Sequence, residues 1–271
     1  MTIAILGLGL IGGSLARELT RRGHAVSGWD RDAGALSAAR EAGAIRDTLE
    51  VDLEGLRGAE VVLLAVPVDA GRTLLERVAR RALAARLIMD TGSTKRGIIA
   101  AAEQLGVAER FVGAHPIAGH HRHGFAASRE SLFEHARVFL CPCTRTREAA
   151  LAEARGLWSE LGALPEVVDA EEHDRRLAWA SHLPQASASA LALSLAHAGL
   201  TRAELGPGGR DATRLAASSP AMWTAIALEN ADVLCDALGV LEASLAELRE
   251  AIRRGDATAV REWFAAAAEW Q

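Results

Sequence analysis

A short apolar run, a glycine-rich turn and a helical segment open the chain, and this combination constrains the fold more than any other feature. The run Thr2–Leu6 is followed by Gly-Leu-Gly-Leu-Ile-Gly-Gly-Ser at residues 7–14 and by apolar residues at helical spacing. In such a turn the first glycine makes the tight bend, the second lets a pyrophosphate approach, and the third allows close helix packing. The sequence therefore predicts a dinucleotide-binding βαβ unit whose helix N-terminus binds phosphate.

The end of the second predicted strand bears on the choice of cofactor. Asp30 follows the run 26–29, about twenty residues beyond the glycines, where a carboxylate accepts hydrogen bonds from ribose hydroxyls and repels a 2′-phosphate. This favours NAD over NADP. Arg31 follows directly and carries a guanidinium that could bind such a phosphate, so NADP stays open. S-adenosylmethionine and FAD are further alternatives for a turn of this kind.

Apolar runs alternate with helical segments through the first half of the chain. The runs cover residues 61–66, 87–89, 111–114 and 137–140, and the helical segments lie near 70–84, 96–106 and 145–161. Residues 164–168 could form one last strand at the edge of the sheet. Continuous apolar runs are typical of strands buried in a parallel sheet. We therefore expect an α/β Rossmann-type, doubly wound parallel sheet at residues 1–168 as the dinucleotide-binding domain.

The second half of the chain is rich in alanine and leucine at helical spacing. The pattern covers residues 171–198, 219–253 and 257–270, without a convincing strand. We expect an all-α substrate and dimerisation domain at residues 169–271. Its long apolar faces predict the core of a homodimer, although a bundle within one chain would explain them equally well.

The composition limits the classes of partner that the chain is expected to bind. A formal charge of −5 and the absence of a basic block argue against nucleic acid, and no apolar run is long enough to span a membrane. Three cysteines are too few for a disulfide framework, so we expect a reduced, cytoplasmic location. Cys141 and Cys143 could bind zinc together with histidines, but their spacing is not that of a closed site, and we expect no metal.

Candidate ligand-binding residues fall at the carboxyl ends of the predicted strands, where open sheets of this type bind ligands. They are Gly7, Asp30, Pro67, Ser93 and His115. His115 begins a stretch that carries four histidines within nine residues. Because histidine titrates nearest neutrality, such a loop suits proton transfer or a metal. In the helical half, the turn at 206–214 brings two arginines that could bind a carboxylate.

An ordered set of motifs resembles the prephenate/arogenate dehydrogenases of tyrosine biosynthesis over nearly the whole chain. Its members are the turn at 7–14, Asp-Thr-Gly-Ser-Thr-Lys at 90–95, Ala-His-Pro-Ile-Ala-Gly at 114–119, His173-Asp174, Ser-His-Leu-Pro at 181–184, Arg-Asp-Ala-Thr-Arg-Leu-Ala at 210–216, Met222-Trp223 and Asn230. The resemblance implies a small-molecule substrate, a cyclohexadienol with a ring carboxylate. Its hydride would pass to NAD while CO2 is lost and the ring aromatises.

The resemblance also implies roles for single residues. His115 would be the base that takes the hydroxyl proton, and Ser93 would relay that proton and orient the base. Arg214 would bind the ring carboxylate, and His182 would line the pocket. Arg210 would be a second contact to an anionic group of the substrate. Lys95, the only lysine, would either support the Ser93 loop or contact substrate. The cofactor candidates are Gly7, Gly9, Leu10, Ile11, Gly12, Asp30, Arg31, Val66, Pro67 and Thr91.

Three departures from the family pattern concern the substrate's side chain. His120 and His121 stand where the family often has a polar and then an acidic residue, Gln185 where it often has a second histidine, and Gly209 where it has an aromatic residue. We expect His121 and Gln185 to contact substrate, and the choice between prephenate and arogenate stays open. A 4-amino-4-deoxyprephenate dehydrogenase and a non-catalytic dinucleotide-binding regulator are the alternatives.

Overall fold

A computed structural model describes residues 1–119 and 122–270, which form two compact units. The first unit comprises residues 1–176 and 217–229 and contains an eight-stranded sheet. Its strands are β1 (Thr2–Leu6), β2 (Ala25–Trp29), β3 (Asp47–Thr48), β4 (Val61–Leu64), β5 (Leu87–Asp90), β6 (Phe111–Pro116), β7 (Arg137–Pro142) and β8 (Leu164–Val167). Their order across the sheet is β3-β2-β1-β4-β5-β6-β7-β8.

The sheet is mostly, but not entirely, parallel. Each neighbouring pair from β3 to β6 is parallel, β7 runs antiparallel to β6, and β8 runs parallel to β7. A parallel pair needs a crossover, usually a helix. The described part of the connection from β6 to β7 contains a short 3₁₀ turn at Phe125–Ala127 and no crossover helix. The Rossmann-type class is confirmed, and the expectation of parallel strands throughout is wrong for β7 and β8.

Helices cover both faces of the sheet. They are α1 (Leu10–Arg21), α2 (Ala33–Glu41), α3 (Val68–Arg81), α4 (Arg96–Gln104), α5 (Glu148–Glu160), α6 (Ala170–Leu177) and, later in the chain, α9 (Pro220–Glu229). Alternate residues of a strand point to opposite faces, so Ile3 packs with α1 and α5 while Leu6 packs with α3 and α4. The two cores fix the sheet and align the carboxyl ends of β1, β4, β5 and β6.

The second unit comprises residues 177–216 and the chain from Asn230 onward, and it is helical. Its helices are α7 (Leu183–His197), α8 (Pro207–Ala212), α10 (Ala231–Arg253) and α11 (Ala257–Glu269). A π-helical turn, Ala178–His182, precedes α7 where the sequence predicts one continuous helix. Pro184 has no backbone N–H to donate, which favours a wider turn at this point. Nearly all of α6 and the whole of α9 belong to the sheet unit, and the predicted domain division after residue 168 stays a prediction.

Across residues 1–119 and 122–270, no helix combines the length and the apolar character that a membrane span requires.

Candidate active site

The glycine turn between β1 and α1 has the geometry that a dinucleotide requires. Gly7 has a left-handed φ of +97°, and a Cβ there would lie 2.4 Å from the carbonyl oxygen of Ala65. A Cβ on Gly12 would lie 1.9 Å from the carbonyl oxygen of Gly7. At Gly9 a Cβ would meet no atom of the described residues within 4 Å. Because Gly9 is also the N-cap of α1, this open space adjoins a helix N-terminus able to bind phosphate.

Asp30 follows β2 and lies beside this turn. Its Oδ2 accepts a hydrogen bond from the Leu8 N–H at 2.6 Å, and its Oδ1 accepts one from the Asp32 N–H at 2.9 Å. These two bonds fix the carboxylate, and each oxygen keeps a second lone pair that a ribose hydroxyl could use. Arg31 is exposed, so its guanidinium can move.

The other cofactor candidates surround the same edge of the sheet. Leu10 and Ile11 form the partly buried first turn of α1. Val66 follows β4, and its Cγ1 would lie 2.9 Å from a Cβ on Gly7. Pro67 is the N-cap of α3, and the Thr91 N–H after β5 donates to the Leu64 carbonyl at 2.9 Å. These residues and the glycine turn therefore lie together at the carboxyl edge of the sheet, and their contact with a cofactor stays a prediction.

His115 begins a line of hydrogen bonds that runs into the protein interior. It lies on β6, paired with Phe139 of β7, and is half-buried. Its Nδ1 is 2.9 Å from Nε2 of His173, whose Nδ1 is 2.7 Å from Oδ1 of Asp174. His173 and Asp174 are fully buried on α6, and the Phe139 ring packs edge-on against His173. The sequence motif names this histidine–aspartate pair, but spacing alone does not connect it with His115.

The start of α4 holds Asp174 in place. Oδ1 of Asp174 accepts a hydrogen bond from the Lys95 N–H at 2.8 Å, and Oδ2 of Asp174 accepts one from the Arg96 N–H at 2.9 Å. The Lys95 side chain turns the other way and is completely buried, with its ammonium group on the Asp90 carboxylate. Lys95 therefore supports the loop from β5 to α4, which is one of the two roles open from the sequence.

Burial and hydrogen bonding set the charges along this line. Burial alone would raise the pKa of Asp174, but the bonds from His173, Arg96 and Lys95 together hold it below its usual range. Burial lowers the pKa of His173 and outweighs the opposing effect of the hydrogen bond that His173 donates to Asp174. Burial likewise raises the pKa of Asp90, against the attraction of the Lys95 ammonium. At neutral pH, Asp174 is therefore ionised and His173 is neutral.

Ser93 lies in the loop between β5 and α4 and is partly buried. Within the described residues, the hydrogen bond from His115 Nδ1 goes to His173, and none joins Ser93 to His115. The predicted role of Ser93 in orienting the base stays a prediction. His121 lies outside the described residues, so its predicted contact with substrate stays a prediction as well.

In the helical unit, two of the predicted substrate-binding residues are buried. The Asn230 amide nitrogen lies 3.2 Å from His182 Nδ1, so Nδ1 accepts and Nε2 carries the proton. Gln185 donates from Nε2 to the Leu215 carbonyl at 2.8 Å, which ties α7 to the segment after Arg214. Asn230 is a further residue that the motif contains and that sequence reasoning did not assign to the site.

The two arginines of this unit are exposed and differ in their contacts. Arg210 donates from Nε to the Leu205 carbonyl at 2.7 Å, so it stabilises its own turn. The Arg214 Nε lies 3.8 Å from Asp211 Oδ1, and its side chain is 68% exposed. Such an exposed, distant ion pair holds a guanidinium weakly. Arg214 is therefore the freer of the two to bind an anion.

Among the described residues, no group of three or more histidine, cysteine, aspartate or glutamate side chains is arranged so that it could hold a metal ion. All three cysteines are free thiols. Burial raises the pKa of Cys141 to about 12 and that of Cys143 to about 11. Thiols that stay protonated are poor metal ligands.

The sheet topology and the glycine turn are those of a Rossmann-type nucleotide-binding protein. The family model described as prephenate dehydrogenase, nucleotide-binding domain, matches residues 15–167, and the model described as prephenate dehydrogenase, dimerization domain, matches residues 169–266. The chain therefore belongs to the prephenate dehydrogenase family.

Individual relatives agree with this assignment. A prephenate dehydrogenase of Bacillus subtilis is 33% identical over 100% of this chain and 75% of its own. The crystal structure of prephenate dehydrogenase from A. aeolicus, in complex with hydroxyphenyl propionate and NAD+, is 31% identical with a TM-score of 0.90, covering 99% of this chain and 96% of that one. The Synechocystis arogenate dehydrogenase structure is 29% identical with a TM-score of 0.84, covering 99% and 98%.

Proposed function

We propose that this protein catalyses the NAD-dependent oxidative decarboxylation of prephenate, arogenate or both. One observation carries the proposal: His115 lies at the carboxyl edge of the sheet, hydrogen-bonded to a buried histidine–aspartate pair, in the unit that carries the dinucleotide turn. A binding protein without catalysis has no need of a supported base at that edge. The relatives named above support the choice of reaction.

The residues of the sheet unit would hold the cofactor. The N–H groups at the start of α1 would bind the pyrophosphate across Gly9, and the Asp30 carboxylate would accept hydrogen bonds from the ribose hydroxyls. The cofactor, when bound, supplies a hydride acceptor. The A. aeolicus relative was crystallised with NAD+, which supports NAD for this chain.

The base would be His115, acting on the 4-hydroxyl of the substrate. His115 would take the hydroxyl proton while the C4–H bond breaks and a C4 carbonyl forms, and a bound NAD would supply the acceptor for the hydride that leaves C4. Loss of the ring carboxylate as CO2 then returns its electron pair to the ring, which becomes aromatic, and the phenolate oxygen recovers the proton. His115 ends in its starting form, so it acts as a base and then as an acid.

The helical unit would bind the anionic parts of the substrate. Arg214 would bind the ring carboxylate, because a guanidinium matches a carboxylate bidentately and this one is held only weakly by Asp211. His182 would donate from Nε2, the nitrogen to which the Asn230 contact assigns the proton. Arg210, Gln185 and His121 are secondary candidates, and Ser93 would relay the proton.

The helical unit would also form a homodimer. Its family model is described as a dimerization domain, and large apolar side chains on its helices are exposed, among them Val240, Leu245 and Phe264. A cytoplasmic location is part of the same proposal, since the three free cysteines suit a reduced compartment. Sedimentation of the purified protein measures the mass of the particle, and a monomer at micromolar concentration contradicts the dimer.

The deciding experiment measures turnover of prephenate, arogenate and 4-amino-4-deoxyprephenate, each with NAD and with NADP, by the absorbance of the reduced nicotinamide. We expect prephenate, arogenate or both to react, with NAD preferred. Activity with the amino-deoxy substrate alone would assign a different reaction on the same scaffold. Binding of NAD without turnover of any of them would favour a regulator.

A further inference from the structure

Asp174 is an anchor that can only accept hydrogen bonds. Its two oxygens take the N–H groups of Lys95 and Arg96 at the start of α4, and Oδ1 also faces Nδ1 of His173 at 2.7 Å. An ionised carboxylate has no proton to give. The proton between Asp174 and His173 therefore lies on Nδ1 of His173.

The position of the proton on His173 determines the position of the proton on His115. A neutral imidazole carries one proton, so Nε2 of His173 holds a lone pair. The Nδ1 of His115 lies 2.9 Å from that Nε2 atom and must therefore donate its proton to the lone pair. With its proton on Nδ1, neutral His115 holds its lone pair on Nε2. The reverse order would put two lone pairs face to face between His173 and Asp174, both of which are fully buried.

We propose that Asp174 and His173 are positioning residues that fix the tautomer of His115, with the proton on Nδ1 and the basic lone pair on Nε2. The proposal rests on the function proposed above, in which His115 is the base. An unsupported imidazole exchanges between its two tautomers, and only one of them presents a lone pair to the substrate hydroxyl. The buried pair would keep every molecule in the competent form.

The same line stabilises His115 after it has taken the proton. The imidazolium would donate from Nδ1 to His173, which donates in turn to the negative charge of Asp174. In the serine-protease triad, a buried carboxylate beside a histidine has this effect on tautomer and charge. Here an uncharged ring stands between the carboxylate and the base. The pKa of His173, lowered by burial, keeps that ring from taking the proton itself.

The first test reads the tautomer directly and requires no turnover. Protein labelled with ¹⁵N in its histidines would be studied at pH 8 by long-range ¹H–¹⁵N correlation spectra, and the His115 signals identified by their loss in His115→Asn. We expect the wild-type His115 to be protonated on Nδ1. Protonation on Nε2, or an even mixture, would overturn the proposal whatever the activity. If instead the tautomer is as expected and no cyclohexadienol reacts, the proposed function fails while the tautomer assignment stands.

The second test compares two substitutions of His173. His173→Phe keeps a ring against Phe139 and removes both nitrogens, whereas His173→Gln can still accept from His115 through its amide oxygen. We expect His173→Phe to mix the His115 tautomers and to lower kcat about 10- to 100-fold, as when a hydrogen-bonded support is removed from a functional histidine at a metal site. The KM for NAD should stay unchanged, and His173→Gln should recover most of the kcat. Full activity of a folded His173→Phe protein would refute a positioning role, and if it does not fold, the wild-type spectrum decides.

Discussion

Gly12 lies so close to Gly7 that a Cβ on Gly12 would stand 1.9 Å from the Gly7 carbonyl oxygen. This contact packs the start of α1 against the end of β1. Gly9, between them, is free of such a contact, because a Cβ there would meet none of the described atoms within 4 Å. Gly12 is therefore constrained by packing within the fold, whereas Gly9 is constrained by the space that a bound ligand needs.

Alanine substitutions should separate these two constraints. We expect Gly9→Ala to keep the wild-type melting temperature, since the φ of −70° at Gly9 suits alanine, and to weaken NAD binding by blocking the pyrophosphate. Gly12→Ala should lower the melting temperature instead. Thermal unfolding with and without NAD measures both effects. A Gly9→Ala protein that binds NAD normally would mean that the phosphates lie elsewhere.

Substitution of the base should affect chemistry and leave cofactor binding alone. We expect His115→Asn to lower kcat about 10²- to 10⁴-fold, the usual contribution of a general base, with NAD affinity unchanged. Steady-state rates together with fluorescence titration of NAD measure the two quantities. A wild-type rate in His115→Asn would remove His115 from the mechanism.

Loss of the Arg214 guanidinium, which would bind the ring carboxylate, should affect the KM for substrate. Hydrogen bonds to charged groups contribute about 1.5–3 kcal/mol, so Arg214→Ala should raise the KM for substrate about 10- to 100-fold. Arg210→Ala is the matched control, because its guanidinium already donates to the Leu205 carbonyl. A larger effect from Arg210→Ala than from Arg214→Ala would exchange their roles. An effect on the KM for NAD alone would place neither at the substrate.

Stability should fall in mild acid because His173 is buried without charge. In the unfolded chain His173 takes up a proton as the pH falls below about 6.5, whereas the lowered pKa keeps it neutral in the folded state, among Asp174, Lys95, Asp90 and His115. The free energy of unfolding should therefore drop with falling pH, by at most about 1.4 kcal/mol per pH unit from this group.

Urea unfolding between pH 7 and pH 5 tests this origin. His173→Gln should show a shallower dependence on pH than the wild type, and substitution of the exposed His197 by glutamine should leave the wild-type dependence unchanged. Equal slopes for the wild type and His173→Gln would show that other groups cause the acid sensitivity.

Removal of the buried ammonium should destabilise the sheet unit strongly. Lys95→Met leaves the Asp90 carboxylate buried without its partner, which typically costs about 3–5 kcal/mol. The double variant Asp90→Asn with Lys95→Met should be more stable than Lys95→Met alone. As a control, Arg80→Met breaks an exposed pair with Glu76, worth about 0.5 kcal/mol or less. Equal effects of Lys95→Met and Arg80→Met on urea unfolding would mean that the Lys95 pair adds nothing.

Sequence patterns predicted the parts of the fold that depend on local chemistry. The glycine turn, the apolar runs and the place of His115 at a strand end all follow from residue type and spacing. The direction of β7 could not be predicted in this way, because an apolar run reads the same for a parallel and an antiparallel strand. The π turn before α7 depends on how the chain satisfies its hydrogen bonds around Pro184, which helical spacing does not reveal.

The sequence predicted which residues belong to the candidate site better than it predicted the contacts between them. His115 and His173 are 58 positions apart, and only the packing of α6 beside β6 and β7 brings their rings together. The motif contains His173, Asp174 and Asn230, yet no local rule assigns them partners. For Lys95 the sequence gives the residue and the structure its role. It is the only lysine, and its full burial favours support of the Ser93 loop over contact with substrate.

The burial of Lys95 also has a consequence for covalent labelling. Lys95 is the only lysine of the sequence, and its side chain is fully inaccessible, so amine reagents meet no lysine ε-amino group on the surface of the folded chain. Reaction at Lys95 would report that the loop between β5 and α4 has opened, which makes this residue a built-in sensor of local unfolding at the active site.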